Sequence, residues 1–274
     1  MNNALFSVED RIIVITGGLG QLGRQFSIAL LEKGAKVAIL DLLAEDTDLS
    51  ASLQPYYNNK SLLLVQNDVT KKSSLQKALT DIKNCWGKAP FGLINNAALD
   101  SPPNAPPEET GPFETFPESS WGRIMDVNVK GVFLACQVFG AAMSDAGRGS
   151  IINIGSTYGI VSPDQRIYEY KIKNGGSPFY KPVAYTASKS ALVNFTRYLA
   201  VYWAKSGVRV NLMAPGGVFN HQDNEFLKGY CKRVPMGRMA NEDEYNGTII
   251  YLMSDASSYM TGSTIVIDGG WTAW

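Results

Sequence analysis

Tyr185-Thr-Ala-Ser-Lys189 sets a phenol and an ammonium four positions apart at the start of a long helical pattern. Residues at i and i+4 share one helix face. A free tyrosine titrates near ~10, too high for efficient proton exchange at neutral pH, and a nearby ammonium stabilises its phenolate. Such a pair is an acid/base unit that needs no histidine, and the chain has a single one, His221. Tyr/Lys pairs are also common on exposed helix faces, so the spacing alone assigns no role.

A second pattern surrounds Thr16-Gly-Gly-Leu-Gly-Gln-Leu-Gly23, in which Gly18, Gly20 and Gly23 match G-x-G-x-x-G. Glycines in such a turn let backbone N–H groups approach a pyrophosphate at a helix N-terminus. Asp41 follows Gly23 by 18 positions, near the spacing of an acid that binds a ribose. A carboxylate accepts from the adenosine 2′- and 3′-hydroxyls and repels a 2′-phosphate, and no Arg or Lys from Val37 to Asp46 offsets it. These residues favour NAD over NADP.

Both patterns need elements to hold them. Short apolar runs at Arg11–Thr16, Lys36–Leu40, Ser61–Val65, Phe91–Asn95, Ile151–Ile154, Val208–Met213 and Thr264–Ile267 read as buried strands. Helical patterns fill Leu22–Lys33, closed by Gly34, and Lys72–Lys83, Glu118–Met143, Ala184–Ser206 and Glu242–Leu252. This alternation predicts an α/β fold: a single doubly wound domain over 1–274, with a parallel sheet of seven strands covered on both faces. Ligands of such folds bind outside the carboxyl ends of the strands. Asp100–Pro117 and Ser162–Pro182 break the alternation after the fourth and fifth strands, so both should border the ligand.

Composition narrows the function. Hydrophobic residues make up 45% and charged residues 18%, enough apolar material for a sizeable core. Lys plus Arg number 25, as do Asp plus Glu, which points to neither nucleic acid nor an anionic membrane as partner. Cys85, Cys136 and Cys231 are odd in number and scattered, so we expect no metal site and no disulfide framework, only buried or half-buried thiols. No uninterrupted apolar run approaches the ~20 residues of a membrane span, and MNNALFSVEDR lacks the basic and apolar segments of a secretion signal. A cytoplasmic location is expected.

Thr16–Gly23, Asp68, Asn95-Asn-Ala-Ala98, Asn128, Ser156, Tyr185/Lys189, Pro215-Gly216 and Asp268-Gly-Gly270 occur in one order along the chain. In that order the set resembles the short-chain dehydrogenase/reductase family, and the likeness runs from Arg11 to Trp271. The resemblance implies hydride transfer between NAD and an alcohol or ketone carbon. Tyr185 would be the general acid/base, and Lys189 would lower its pKa and hold the nicotinamide ribose. Ser156 would hydrogen-bond the substrate oxygen, and Asn128 would kink its helix and hold a relay water. The dinucleotide would meet Gly17, Gly20, Gln21, Leu22 and Gly23 at its phosphates, and Asp41 with Leu42 at its ribose. Asp68 and Val69 would meet the adenine, Asn95 and Ala97 the adenosine side, and Pro215, Gly216 and Val218 the nicotinamide.

The chain departs from that family in three places. Gln21 stands where the usual middle glycine falls, so Gly17, Gly20 and Gly23 resemble the spacing of longer, sugar-nucleotide-modifying relatives. Ser156 and Tyr185 are 29 positions apart, more than twice the usual interval. PGGVFNHQ lacks the usual threonine after Pro-Gly. The long interval brings Asp164, Gln165, Arg166, Glu169, Lys171 and several tyrosines, which suit a polyhydroxylated ligand. Lys228, Lys232, Arg233 and Arg238, in a lid over 217–240, could meet a phosphate or form a solvated face. A sugar or sugar derivative, phosphorylated or nucleotide-linked, is the expected small-molecule substrate. The alternatives are a 3-oxoacyl thioester reductase and a catalytically silent NAD-binding regulator. Phe195, Tyr198, Tyr202, Trp203, Trp271 and Trp274 either cover this chain's own core or face another copy; a homo-oligomer, a dimer or tetramer, is expected.

Overall fold

The computed structural model describes residues 3–44, 49–100, 106–173 and 176–274. The expected insertions therefore lie partly outside the described residues, at 101–105 and 174–175.

Seven strands form one sheet: β1 (Ile12–Thr16), β2 (Lys36–Asp41), β3 (Leu62–Gln66), β4 (Gly92–Asn95), β5 (Gly149–Ile154), β6 (Val208–Pro215) and β7 (Thr264–Ile267). Their order is β3-β2-β1-β4-β5-β6-β7, and every pairing is parallel. The order reverses between β1 and β4, which opens a crevice beyond the carboxyl ends there.

Side chains alternate across a strand, so one β-branched run feeds two cores. Ile12 and Val14 join one, with Phe139 and Leu192; Ile13 and Ile15 join the other, with Phe26 and Tyr245. Helices Lys72–Trp86, Glu118–Asp145 and Val183–Trp203 cover the first face, and Gln21–Glu32 with Asn246–Met253 cover the second. Gly34 follows Gln21–Glu32 at φ +78°, the left-handed conformation expected after a helix end.

Helix Glu118–Asp145 differs from a plain 3.6-residue pattern. It contains two π turns, Asp126–Gly131 and Cys136–Gly140. Asn128 explains the first: its amide bonds both backbone groups of Leu99 rather than pointing to solvent. By length and mean hydropathy, 1.3, the helix passes for a membrane span, contrary to the uninterrupted-run criterion. Its 56% burial inside the molecule marks a core helix instead. The last long helix starts at Asn246 rather than Glu242, because Glu244 accepts from the Asn241 N–H and from Arg238 ahead of it.

Several buried groups are polar. Asn95 donates to Asn153 at 2.8 Å, and Asn153 to Thr196 at 2.9 Å, linking β4 and β5 to helix Val183–Trp203 through the core. Two sequence expectations fail here. Trp271 is buried against Tyr158 and Tyr230, where it anchors a small third core with Ile167, Tyr168, Val234 and Met239, while Trp203 lies in the main core. Of the thiols, Cys85 is exposed, because it sits on the outer face of helix Lys72–Trp86.

Gly140 shows how tightly Trp203 fits: a Cβ there would lie 2.3 Å from the indole ring. Gly140→Val should therefore destabilise the fold by about 2–3 kcal/mol, read as a lower urea midpoint at unchanged m-value.

Candidate active site

Three strand ends and one helix start make the site. β5 ends at Ile154, and Ser156 follows it with its Oγ accepting from the Tyr158 N–H at 3.1 Å. Lys189, buried two turns into helix Val183–Trp203, sends its Nζ to the carbonyl oxygen of Ile154 at 2.8 Å. Gly159 lets the backbones meet, since a Cβ there would lie 2.8 Å from the Lys189 carbonyl carbon. These contacts bring Tyr185 beside Ser156, within hydrogen-bonding reach of its hydroxyl. Asn128 completes the frame, because its Nδ2 also donates to Ser188 Oγ, which in turn donates to the Tyr185 carbonyl.

A cleft of about 800 Å³ opens over these residues. Gln21, Leu22, Ser156, Tyr185, Lys189, Pro215, Gly216 and Val218 line it, as expected. So do Asn96, Asp100, Tyr158, Lys181, Asn220 and Gln222, which the sequence reading gave no role. Asn95 does not: its side chain is 2% exposed and spent on the buried ladder with Asn153 and Cys136. Its neighbour Asn96 lines the cleft instead and donates to the Gly17 carbonyl at 2.8 Å.

The glycine turn sits at one end of the cleft. Gly17 has φ +61°, and a Cβ there would lie 2.7 Å from Ala97 Cα. At Gly23 a Cβ would lie 2.3 Å from the Gly17 carbonyl oxygen, so the helix can pack against the turn only with glycine there. Helix Gln21–Glu32 starts from Gly20 with no side-chain cap, leaving its first N–H groups for a ligand anion. Gln21 uses its side chain otherwise, donating to the Phe219 carbonyl at 2.9 Å and tying the turn to the segment after β6. Asp41, at the end of β2, accepts from the N–H groups of Leu19 at 3.1 Å and Leu43 at 3.2 Å, with Leu42 exposed beside it. Asp68, after β3, accepts from Thr70 and pairs with Lys71 at 3.2 Å, which holds its carboxyl below the usual range. Val69 packs against Gly131.

Electrostatics at the centre run opposite to the sequence argument. Burial pushes the Tyr185 hydroxyl above its ordinary value, and the charge of Asp100 adds to this, while the Ser156 hydrogen bond opposes it. Burial holds Lys189 down to about 8. Lys189 Nζ lies 5.9 Å from the Tyr185 ring centre, and its proton is directed at Ile154. The protein alone therefore desolvates both groups and leaves the phenol protonated.

The lid cations, read as phosphate contacts or as a solvated face, do not line the cleft. Arg238 pairs with Glu244 at 2.6 Å, Lys228 with Glu225 at 2.8 Å, and Arg233 with Asp164, which Arg166 also holds; Lys232 is exposed. Glu169 is exposed too, and Gln165 bonds the backbone of Lys181. Only Lys171 of that group lines the cleft. The lid itself carries helix Asn224–Cys231 and is tied to the long insertion by the Tyr170 hydroxyl, which donates to Asp223 at 2.5 Å.

Known proteins match nearly the whole chain. The family model described as enoyl-(acyl carrier protein) reductase matches residues 20–272. An NAD-dependent glycerol dehydrogenase of Listeria innocua is 31% identical, over 97% of this chain and 96% of its own. A ribulose-forming D-arabinitol 2-dehydrogenase of Scheffersomyces stipitis is 30% identical, over 98% and 96%. A crystal structure of a short chain dehydrogenase from Leptospira borgpetersenii with bound NAD+ superposes with a TM-score of 0.84 at 31% identity, covering 99% of this chain and 96% of that one.

The buried lysine has a thermodynamic signature. A folded-state value near 8, below the ordinary 10.5, means the unfolded chain binds the extra proton, so its cost is full below pH 8 and is relieved as pH rises. From pH 8 to 9 the ligand-free protein should gain about 1 kcal/mol from this group, before Cys136, pushed up to about 12, and the buried tyrosines act in the other direction. Urea titrations at the two pH values should show that gain in wild type and not in Lys189→Met; equal slopes would contradict it.

Proposed function

Since the chain belongs to the short-chain dehydrogenase/reductase family, we propose that it is an NAD-dependent oxidoreductase acting on the CH–OH carbon of a sugar alcohol or related sugar derivative. The observation that carries this reading is the convergence of Ser156, Tyr185 and Lys189 on one cleft that also holds an uncapped helix N-terminus. Residues to hold the dinucleotide are in place. The backbone of Gly17–Gly23 suits the pyrophosphate, Asp41 the adenosine ribose, and Asp68, Val69 and Ala97 the adenine side. Lys189, Pro215, Gly216 and Val218 suit the nicotinamide end. Bound NAD supplies a hydride acceptor and, when oxidised, a positive charge.

In alcohol oxidation Tyr185 must first release its own proton to solvent, which the positive charge of oxidised NAD would favour. Its phenolate Oη then takes the hydroxyl proton as the carbinol C–H hydride leaves for the nicotinamide, and in reduction the phenol gives its proton to the oxygen. Ser156 Oγ donates to the same oxygen as charge builds there. Lys189 keeps a cation near the phenol. Asn128 is a positioning residue, since its amide is engaged by Leu99 and Ser188. The thioester alternative is less favoured, because Asp41 opposes a 2′-phosphate, and the polyol relatives fit the tyrosine-rich cleft. A silent regulator has no need of the complete Ser, Tyr and Lys set.

We read the chain as one working unit over 1–274, with the 100–117 and 162–182 insertions and the 217–240 lid shaping its substrate end. Its thiols are unpaired, which fits the reducing cytoplasm. Phe133, Tyr198, Val201 and Tyr202 form an exposed apolar strip on two neighbouring helices, beside a groove lined by Met125, Val129 and Phe195. Such a face supports a homo-oligomer, dimer or tetramer.

Two measurements check these statements. Reduced nicotinamide, followed at 340 nm, should form from NAD with polyols such as glycerol and arabinitol, more slowly from NADP, and the rate should fall at least about 100-fold in Tyr185→Phe with NAD affinity retained. Undiminished turnover in that variant would reject the assignment. Light scattering at micromolar concentration should give a multiple of the 29.9 kDa chain mass, and Tyr198→Glu/Tyr202→Glu should shift it toward the monomer.

A further inference from the structure

The cleft contains an ion pair that the acid/base chemistry does not use. Asp100 follows β4, and Lys181 precedes helix Val183–Trp203. Lys181 Nζ lies 2.5 Å from Asp100 Oδ1, with the lysine side chain only 11% exposed and the aspartate 52%. The same ammonium lies 4.7 Å from the centre of the Tyr185 ring. Position 181 is fixed from both sides. Its N–H donates to Gln165 Oε1 at 2.9 Å, and the N–H of Tyr180 donates to the Thr110 carbonyl at 2.7 Å. The two insertions thus meet at this pair, over the proton-transferring group.

A carboxylate has about four acceptor positions, so one that holds an ammonium still accepts from a hydroxyl. Such a charge-assisted bond is stronger than a neutral one, and a carboxylate already held in place loses little freedom in making it. A second cation at this end of the cleft, Lys171, also has an acid nearby. Lys171 lies 3.9 Å over the Phe179 ring and faces Asp223, the acceptor of the Tyr170 hydroxyl. An anion drawn to Lys181 would have to displace Asp100 from the ammonium, leaving a charge unpaired; a hydroxyl would not.

On the dehydrogenase reading above, we propose that Asp100, held by Lys181, is a specificity residue. It accepts from the hydroxyl on the carbon next to the reacting carbinol and so selects an uncharged vicinal diol or longer polyol. The role belongs to the 81-position contact between the two insertions.

Steady-state NADH formation from butane-2,3-diol and from butan-2-ol isolates that one hydroxyl. Wild type should favour the diol in kcat/KM by about 10- to 100-fold, the range of a hydrogen bond to a charged group. Asp100→Asn should bring the ratio near one, Lys181→Met should reduce it, and Lys181→Arg should keep it. Glycerol should be preferred over glycerol 3-phosphate. Equal use of diol and mono-alcohol by wild type, an unaltered ratio in Asp100→Asn, or preference for the phosphate would overturn the proposal. Turnover of neither alcohol by a wild type that binds NAD would overturn the dehydrogenase reading itself, and this role with it.

Discussion

A buried ammonium must find acceptors, and that requirement at Lys189 organises the site. Its bond to the Ile154 carbonyl pins helix Val183–Trp203 to the end of β5. With Gly159 allowing close backbone approach, the pin sets Tyr185 one turn earlier against Ser156. A residue whose isolated contribution to stability is unfavourable thereby fixes the geometry of a reactive pair. The Asn95–Asn153–Thr196 ladder repeats the device deeper in the core, where polar partners allow one register between β4, β5 and the same helix.

Charge in the cleft is balanced locally rather than summed. Tyr185 is desolvated and protonated in the bare protein, so the phenolate expected from a neighbouring lysine is not built into the polypeptide alone. Burial, reinforced by Asp100 at Tyr168 and by Asp223 at Tyr170, raises the pKa of these tyrosines, while Lys181 and Lys171 offset those carboxylates. A positive ligand arriving beside this set would change the balance more than any single side chain does, because the site excludes much of the water that would screen it.

Much of the framework was legible because it rests on local rules. Short apolar runs announced all seven strands, and the glycine turn followed from strand, glycines and helix in succession. Tyr185 and Lys189 were found because a helix brings i and i+4 together. What escaped was non-local. Nothing in a 3.6-residue pattern reveals two π turns, the first of them at an amide that bonds a distant loop. Arg233 in the lid looked available because its carboxylate partner Asp164, far earlier in the chain, becomes a neighbour only on folding. Asn95 stood in a motif read as ligand-facing, yet alternation along β4 turns its side chain into the core. Trp271 looked like an interface residue until the lid and insertion wrapped it.

The clasp between the insertions restricts how this chain can change. Thr110, Asp100, Tyr180 and Lys181 meet across two loops that are far apart in sequence. Shortening either loop alone would strand a charge or an amide contributed by the other, so length variation in one is tolerated only with a matching change in the second. The substrate end of the molecule is therefore inherited as a pair of loops, and grafting a new specificity onto this scaffold means moving both together.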